Sequence, residues 1–76
     1  MQPNIKRVKG STYEYAEHIT REDAKMYYNK GYTIGLSSIV TGETYVIQNN
    51  GCSFDYVIKF FKKTISNHVL NYYRLS

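Results

Sequence analysis

Between residues 54 and 65 the apolar side chains return every three or four positions. Phe54, Val57, Ile58, Phe61 and Ile65 fall at i, i+3, i+4, i+7 and i+11, and Lys59, Lys62 and Lys63 occupy the other side. That period predicts an amphipathic helix with one buried stripe. Ser53 can cap it, and Asp55 lies in its first turn, where the helix dipole favours an acid.

Residues 32–49 carry the other period. Tyr32, Ile34, Leu36 and Val40 are expected on one face of a strand, with Thr33, Gly35 and Ser37 on the other. Thr41-Gly42-Glu43 supplies a turn. Tyr45-Val46-Ile47 returns as a second strand, and Asn49-Asn50-Gly51 ends it.

A shorter helix precedes this pair. Thr20 is its cap, Glu22 and Asp23 fill its first turn, Lys30 is placed in its last turn, and Gly31 is its stop. Ala24, Tyr27 and Tyr28 give it a narrow apolar stripe. Residues 5–18 read as extended, with Tyr13 and Tyr15 alternating against Thr12, Glu14 and Ala16. Gly10-Ser11 suggests a hairpin that folds residues 5–9 against residues 12–17. The alternative for residues 1–10 is a mobile arm.

The C-terminus allows two readings. Phe54, Ile58, Phe61, Ile65, His68, Tyr72 and Leu75 keep alternating spacings of four and three, as one helix over 54–75 would. Val69, Tyr72 and Tyr73 are instead strand formers, and Ser66-Asn67 is a natural break. The break and a final strand are preferred. The expected fold is α+β: a small antiparallel sheet with two helices packed on one face, in the order (β)β-α-β-β-α-β. Seventy-six residues make one domain, 1–76. A core this small supplies only about 3–5 kcal/mol of stability.

Charge changes the picture next. Residues 1–13 carry +3, residues 14–55 carry −3, and residues 56–76 carry +4, within a net charge of +4. All six acids lie in the middle segment. Tyrosine supplies nine of the aromatic residues, phenylalanine three and tryptophan none. A tyrosine joins an apolar ring to a polar tip, which suits a surface that a partner will cover. The bland reading is that most of these rings are core or core edge, because so few other aromatic residues are present to fill it. Likewise Lys59, Lys62 and Lys63 read first as a solvated face and second as a phosphate-contacting ridge. If the last strand lay beside the first, both basic ends would share one side of the sheet.

Candidate chemistry is thin. Cys52 is the single cysteine, so no disulfide staples the chain, and a reducing compartment is expected. Its place before a helix cap could activate a thiolate, but a buried or inert thiol is the better reading. His18 and His68 have no spacing that ties them to Cys52. No metal-ligand spacing, phosphate-cradling glycine loop or RNP-type signature is present, and no cofactor is expected. The N-terminus lacks the apolar stretch of a signal peptide, and the apolar runs are too short to span a bilayer. A cytoplasmic location with no membrane partner follows.

The leading expectation is a non-enzymatic binding module, a small phage or mobile-element product that inhibits a host or defence complex stoichiometrically. Lys, Asn, Ile and Tyr make up 29 of the 76 residues, which fits an AT-rich source. The alternative is a small RNA- or single-strand-binding protein. The candidate contact residues are Lys6, Arg7, Lys9, Tyr13, Tyr15, Lys59, Lys62, Lys63, Tyr72, Tyr73 and Arg74. Oligomeric state and partner identity are open.

Overall fold

Among the described residues, five strands and two helices follow one another in the order β-β-α-β-β-α-β. The computed structural model describes residues 2–9, 13 and 16–75. Strands β1 (Asn4–Val8) and β2 (Glu17–Ile19) come first, then helix α1 (Arg21–Asn29). Strands β3 (Ile34–Ser38) and β4 (Thr44–Gln48), helix α2 (Phe54–Thr64) and strand β5 (Leu70–Arg74) follow. The strands make one sheet in the order β1-β4-β3-β5-β2, and every neighbouring pair is antiparallel. This is the expected α+β fold, with the C-terminal break and final strand rather than one long helix.

The helices begin where local chemistry asks them to. The Thr20 hydroxyl accepts a hydrogen bond from the Asp23 backbone N–H at 3.1 Å, and the Ser53 hydroxyl accepts one from Tyr56 at 3.2 Å. Past α1, Gly31 takes φ +94°, a left-handed conformation that glycine adopts without a Cβ penalty. Lys30 is the C-cap of α1 and lies just beyond its last turn.

Both helices cover the same side of the sheet. Ala24 and Tyr28 from α1 join Phe54, Val57, Ile58 and Phe61 from α2. Beneath them lie Ile34, Leu36, Tyr45, Ile47, Leu70 and Tyr72 from the strands. Phe61 is fully buried and meets the edge of the Tyr45 ring, with centroids 4.8 Å apart and planes at 83°. Ile65, the last member of the helical stripe, is the C-cap and is exposed.

Tyrosine does the work of phenylalanine in this core because each buried phenol finds a polar outlet. The Tyr28 hydroxyl donates to the Cys52 carbonyl at 2.7 Å, and the Tyr45 hydroxyl donates to the Glu43 carboxylate at 2.8 Å. Burial pushes the phenols of Tyr28, Tyr45 and Tyr72 above their ordinary range.

Three expectations are corrected. First, β1 and β2 are not hairpin partners. Strand β1 pairs with β4 (Ile5 opposite Ile47), while β2 pairs with β5 (Ile19 opposite Tyr72) at the far edge. Each strand thereby sets its apolar residue on the covered face. The two basic ends are consequently not neighbours, because β4 and β3 lie between β1 and β5. Second, β3 stops at Ser38, and Val40 is 70% exposed in the turn rather than inward-facing. The cause is Ser38, only 3% exposed, whose hydroxyl accepts from the N–H groups of Val40 and Thr41, both at 3.3 Å. These bonds turn the chain before Val40 can extend the strand. Third, among the described residues the extended reading of residues 5–18 is met by β1 and the three residues of β2, but not at Lys9 or Ala16. Tyr15 and the Gly10-Ser11 turn lie outside the described residues.

Candidate binding face

Strand alternation places every second residue on the side away from the helices. The register then aligns these residues across the sheet. Lys6 stands opposite Val46, Val46 opposite Gly35, Gly35 opposite Tyr73, and Tyr73 opposite His18. One row thus crosses all five strands, with a cation at one edge and an imidazole at the other. At about 4.8 Å between strands it spans roughly 19 Å.

Tyr13 completes the row from outside the strands. A Cβ built on Gly35 would lie 2.9 Å from its ring, so the ring rests directly on the glycine backbone. Its hydroxyl donates to the Tyr45 carbonyl at 2.7 Å. Its centroid is 5.1 Å from that of Tyr73, and Tyr73 is 5.2 Å from His18. Three rings in series therefore occupy the centre and one flank of the face. Burial, partly opposed by a hydrogen bond with Thr44, lifts the Tyr13 phenol above its ordinary range. Tyr13 and Tyr73 are half-buried and His18 is exposed.

The surroundings of the row hold no acid among the described residues: Val8 opposite Thr44 and Leu75 beside Gly35 are apolar, and the rest are polar. Asn4, Ser37, Thr44, Gln48 and Asn71 share its face by register. Glu17 and Glu43 do not. Glu17 pairs with Arg74 at 3.0 Å, and Glu43 pairs with Arg7 at 3.4 Å. The Tyr45 hydrogen bond, then Arg7, hold the Glu43 carboxyl below its usual range.

The candidate contact residues separate into distinct places. Lys6, Tyr13 and Tyr73 share the bare face, where Tyr13 and Tyr73 are in contact and Lys6 stands at the β1 edge. Lys59, Lys62 and Lys63 stand exposed on α2, on the opposite side of the sheet. Lys9 is exposed just past β1. Tyr72 is buried under the helices. Arg74 is drawn into the structure, its guanidinium over the Tyr27 and Tyr32 rings at 5.3 and 5.7 Å as well as paired with Glu17. Arg7 is held by Glu43. Basic residues that look equivalent in sequence are therefore of two kinds, clamped arginines and open lysines.

Two features escaped sequence reasoning. His18 carries no spacing signal in the sequence, whereas register makes it the end of the aromatic row. Ser38 and His68, 30 positions apart, are joined by a 3.1 Å hydrogen bond between Oγ and Nδ1. The pair has the composition of a nucleophile–base dyad, but its geometry is that of a turn support. Ser38 Oγ is buried and already accepts two backbone N–H groups, which leaves it turned away from any substrate. Cys52 is buried next to the cap of α2. Among the described residues there is no group of three His, Cys, Asp or Glu able to hold a metal ion, and no helix is long and apolar enough to cross a membrane. No known protein family, curated protein or solved structure matches the chain.

Proposed function

We propose that this protein is a non-enzymatic binding module that docks one-to-one on a host or defence complex and blocks it. A small phage or mobile-element product is the natural source of such a module. The observation that carries the reading is the row Lys6–Val46–Gly35–Tyr73–His18 with the Tyr13 ring laid across it. A bare sheet face needs only polar residues to stay hydrated. This face instead spends a glycine to seat one ring and keeps two more beside it. Aromatic anchors of this kind concentrate the energy of protein interfaces, and a rim lysine steers encounter.

Affinity capture from a bacterial lysate, with and without nuclease, tests the proposal. Wild-type protein should retain a nuclease-resistant partner. Tyr73→Ala should weaken that complex at least about thirtyfold, the effect of losing a central anchor, while remaining folded. Capture that vanishes with nuclease, or that ignores Tyr73→Ala, would count against the sheet face as a protein-docking site.

A further inference from the structure

Helix α2 shows the solvent a surface unlike the sheet face. Tyr56 and Phe60 stand one helical turn apart, with ring centroids 6.3 Å from each other. Lys59 and Lys63 form the adjacent stripe. Together the four line a shallow groove of about 290 Å³, near the lower end of the range that small ligands occupy. Tyr56 is 47% exposed.

The charge of this groove is uncompensated, and the reason is visible. Asp55 is the carboxylate that helical spacing offers to Lys59. It is instead taken by α1: Lys25 Nζ lies 2.9 Å from one oxygen and Arg21 Nη2 lies 3.2 Å from the other. Arg7 and Arg74 are likewise neutralised by Glu43 and Glu17. Lys59, Lys62 and Lys63 form no ion pair with any described carboxylate. The structure pairs its arginines internally and leaves three lysines of one helix facing out beside two rings.

We infer that the outer face of α2 binds single-stranded nucleic acid, with a base stacked against Tyr56 and Phe60 and consecutive phosphates met by Lys59, Lys62 and Lys63. Charge complementarity demands an anion. The rings select among anions, because a nucleobase offers a planar partner at every phosphate and an acidic peptide does not. This contact is independent of the sheet face, so each can fail without the other.

Fluorescence anisotropy with a short labelled oligothymidylate provides the test. The logarithm of the association constant should fall linearly with the logarithm of salt concentration, with a slope near −2 for three contacted phosphates at about −0.7 each. Lys59→Glu, Lys62→Glu and Lys63→Glu together should bring binding below detection, and the three Gln replacements should flatten the slope. All three positions are exposed, and an unchanged far-UV circular dichroism spectrum verifies the fold. Tyr56→Ala should cost about tenfold in affinity at unchanged slope. An abasic oligonucleotide of equal length should bind wild type and Tyr56→Ala alike. Tyr73→Ala should bind as wild type does. Absence of binding at low salt, a slope that survives the lysine replacements, or equal affinity for polyglutamate of matched charge would overturn the inference. The last outcome would assign the face to an acidic protein.

Discussion

The two faces of the sheet are built from the same strands, and consecutive residues serve opposite ends. In β3, Ile34 and Leu36 are fully buried beneath the helices, while Gly35 between them carries the Tyr13 ring on the other side. In β5, Tyr72 is core and Tyr73 joins the outer row of rings. The covered face is closed by apolar contact, and the phenols of Tyr28 and Tyr45 are capped by internal acceptors. The bare face holds a single row of rings and a lysine against water. Stability should therefore depend steeply on one face and weakly on the other, and binding should show the reverse.

Phe61→Ala tests the steep side and should have the largest effect. The ring is fully exposed to the core and not to solvent, in edge contact with Tyr45. Truncation of a buried phenylalanine costs about 3–5 kcal/mol, which rivals the whole stability of a domain this size. Thermal or urea unfolding should find the variant largely unfolded at room temperature. A melting curve like that of wild type would remove α2 from its place as the core anchor.

High pH attacks the covered face without mutation. Burial is the main cause that raises the phenols of Tyr28, Tyr45 and Tyr72, with the neighbouring Cys52 adding to it at Tyr28 and Glu43 adding to it at Tyr45. A group whose folded pKa lies above its unfolded value binds its proton more tightly when folded. Its contribution is complete below the ordinary phenol range and is lost as pH rises through the folded pKa. Unfolding followed by circular dichroism should accordingly coincide with a cooperative rise in tyrosinate absorbance above the ordinary phenol range. Phenols that titrate smoothly while the fold persists would show that the covered face is wetter than its packing implies.

The comparison also explains what could be read from the chain in advance. Helices and strands were legible because their signals are local: Thr20 and Ser53 at the starts, Gly31 at a stop, and the three-four spacing from Phe54 to Phe61. Pairing was not. Gly10-Ser11 carries a hairpin signal, but β1 pairs with β4 and β2 with β5, at opposite edges of the sheet, and that choice of partner is made by contacts distant in sequence. Register was equally hidden, and with it the row from Lys6 to His18, whose members come from five strands. The exposed lysines of α2 followed from helical period alone. That Arg74 would be clamped over Tyr27 and Tyr32, and Asp55 drawn off to α1, depends on tertiary neighbours that no spacing announces.

Gly35→Ala should have the smallest effect on stability, and it separates the faces most sharply. Its backbone is in β3, where glycine is intrinsically weak and alanine would gain a few tenths to about 1 kcal/mol. Against this, the new Cβ would stand 2.9 and 3.0 Å from two ring carbons of Tyr13 and 3.3 Å from Leu75. Those Tyr13 atoms are the far end of a side chain, so the ring can yield where a packed core residue could not. Yielding costs it the hydrogen bond to the Tyr45 carbonyl. The gain and the loss are each about 1 kcal/mol, and Tm should move by only a few degrees. The row itself should not survive. With its ring lifted, Tyr13 loses the burial that raises its phenol, and a tyrosine titration should show one phenol fewer above the ordinary range. Partner capture through the sheet face should fall even though the fold is kept, while oligonucleotide binding on α2 should not change. A collapse of Tm comparable to that of Phe61→Ala would mean that the bare face is a second core rather than a contact surface.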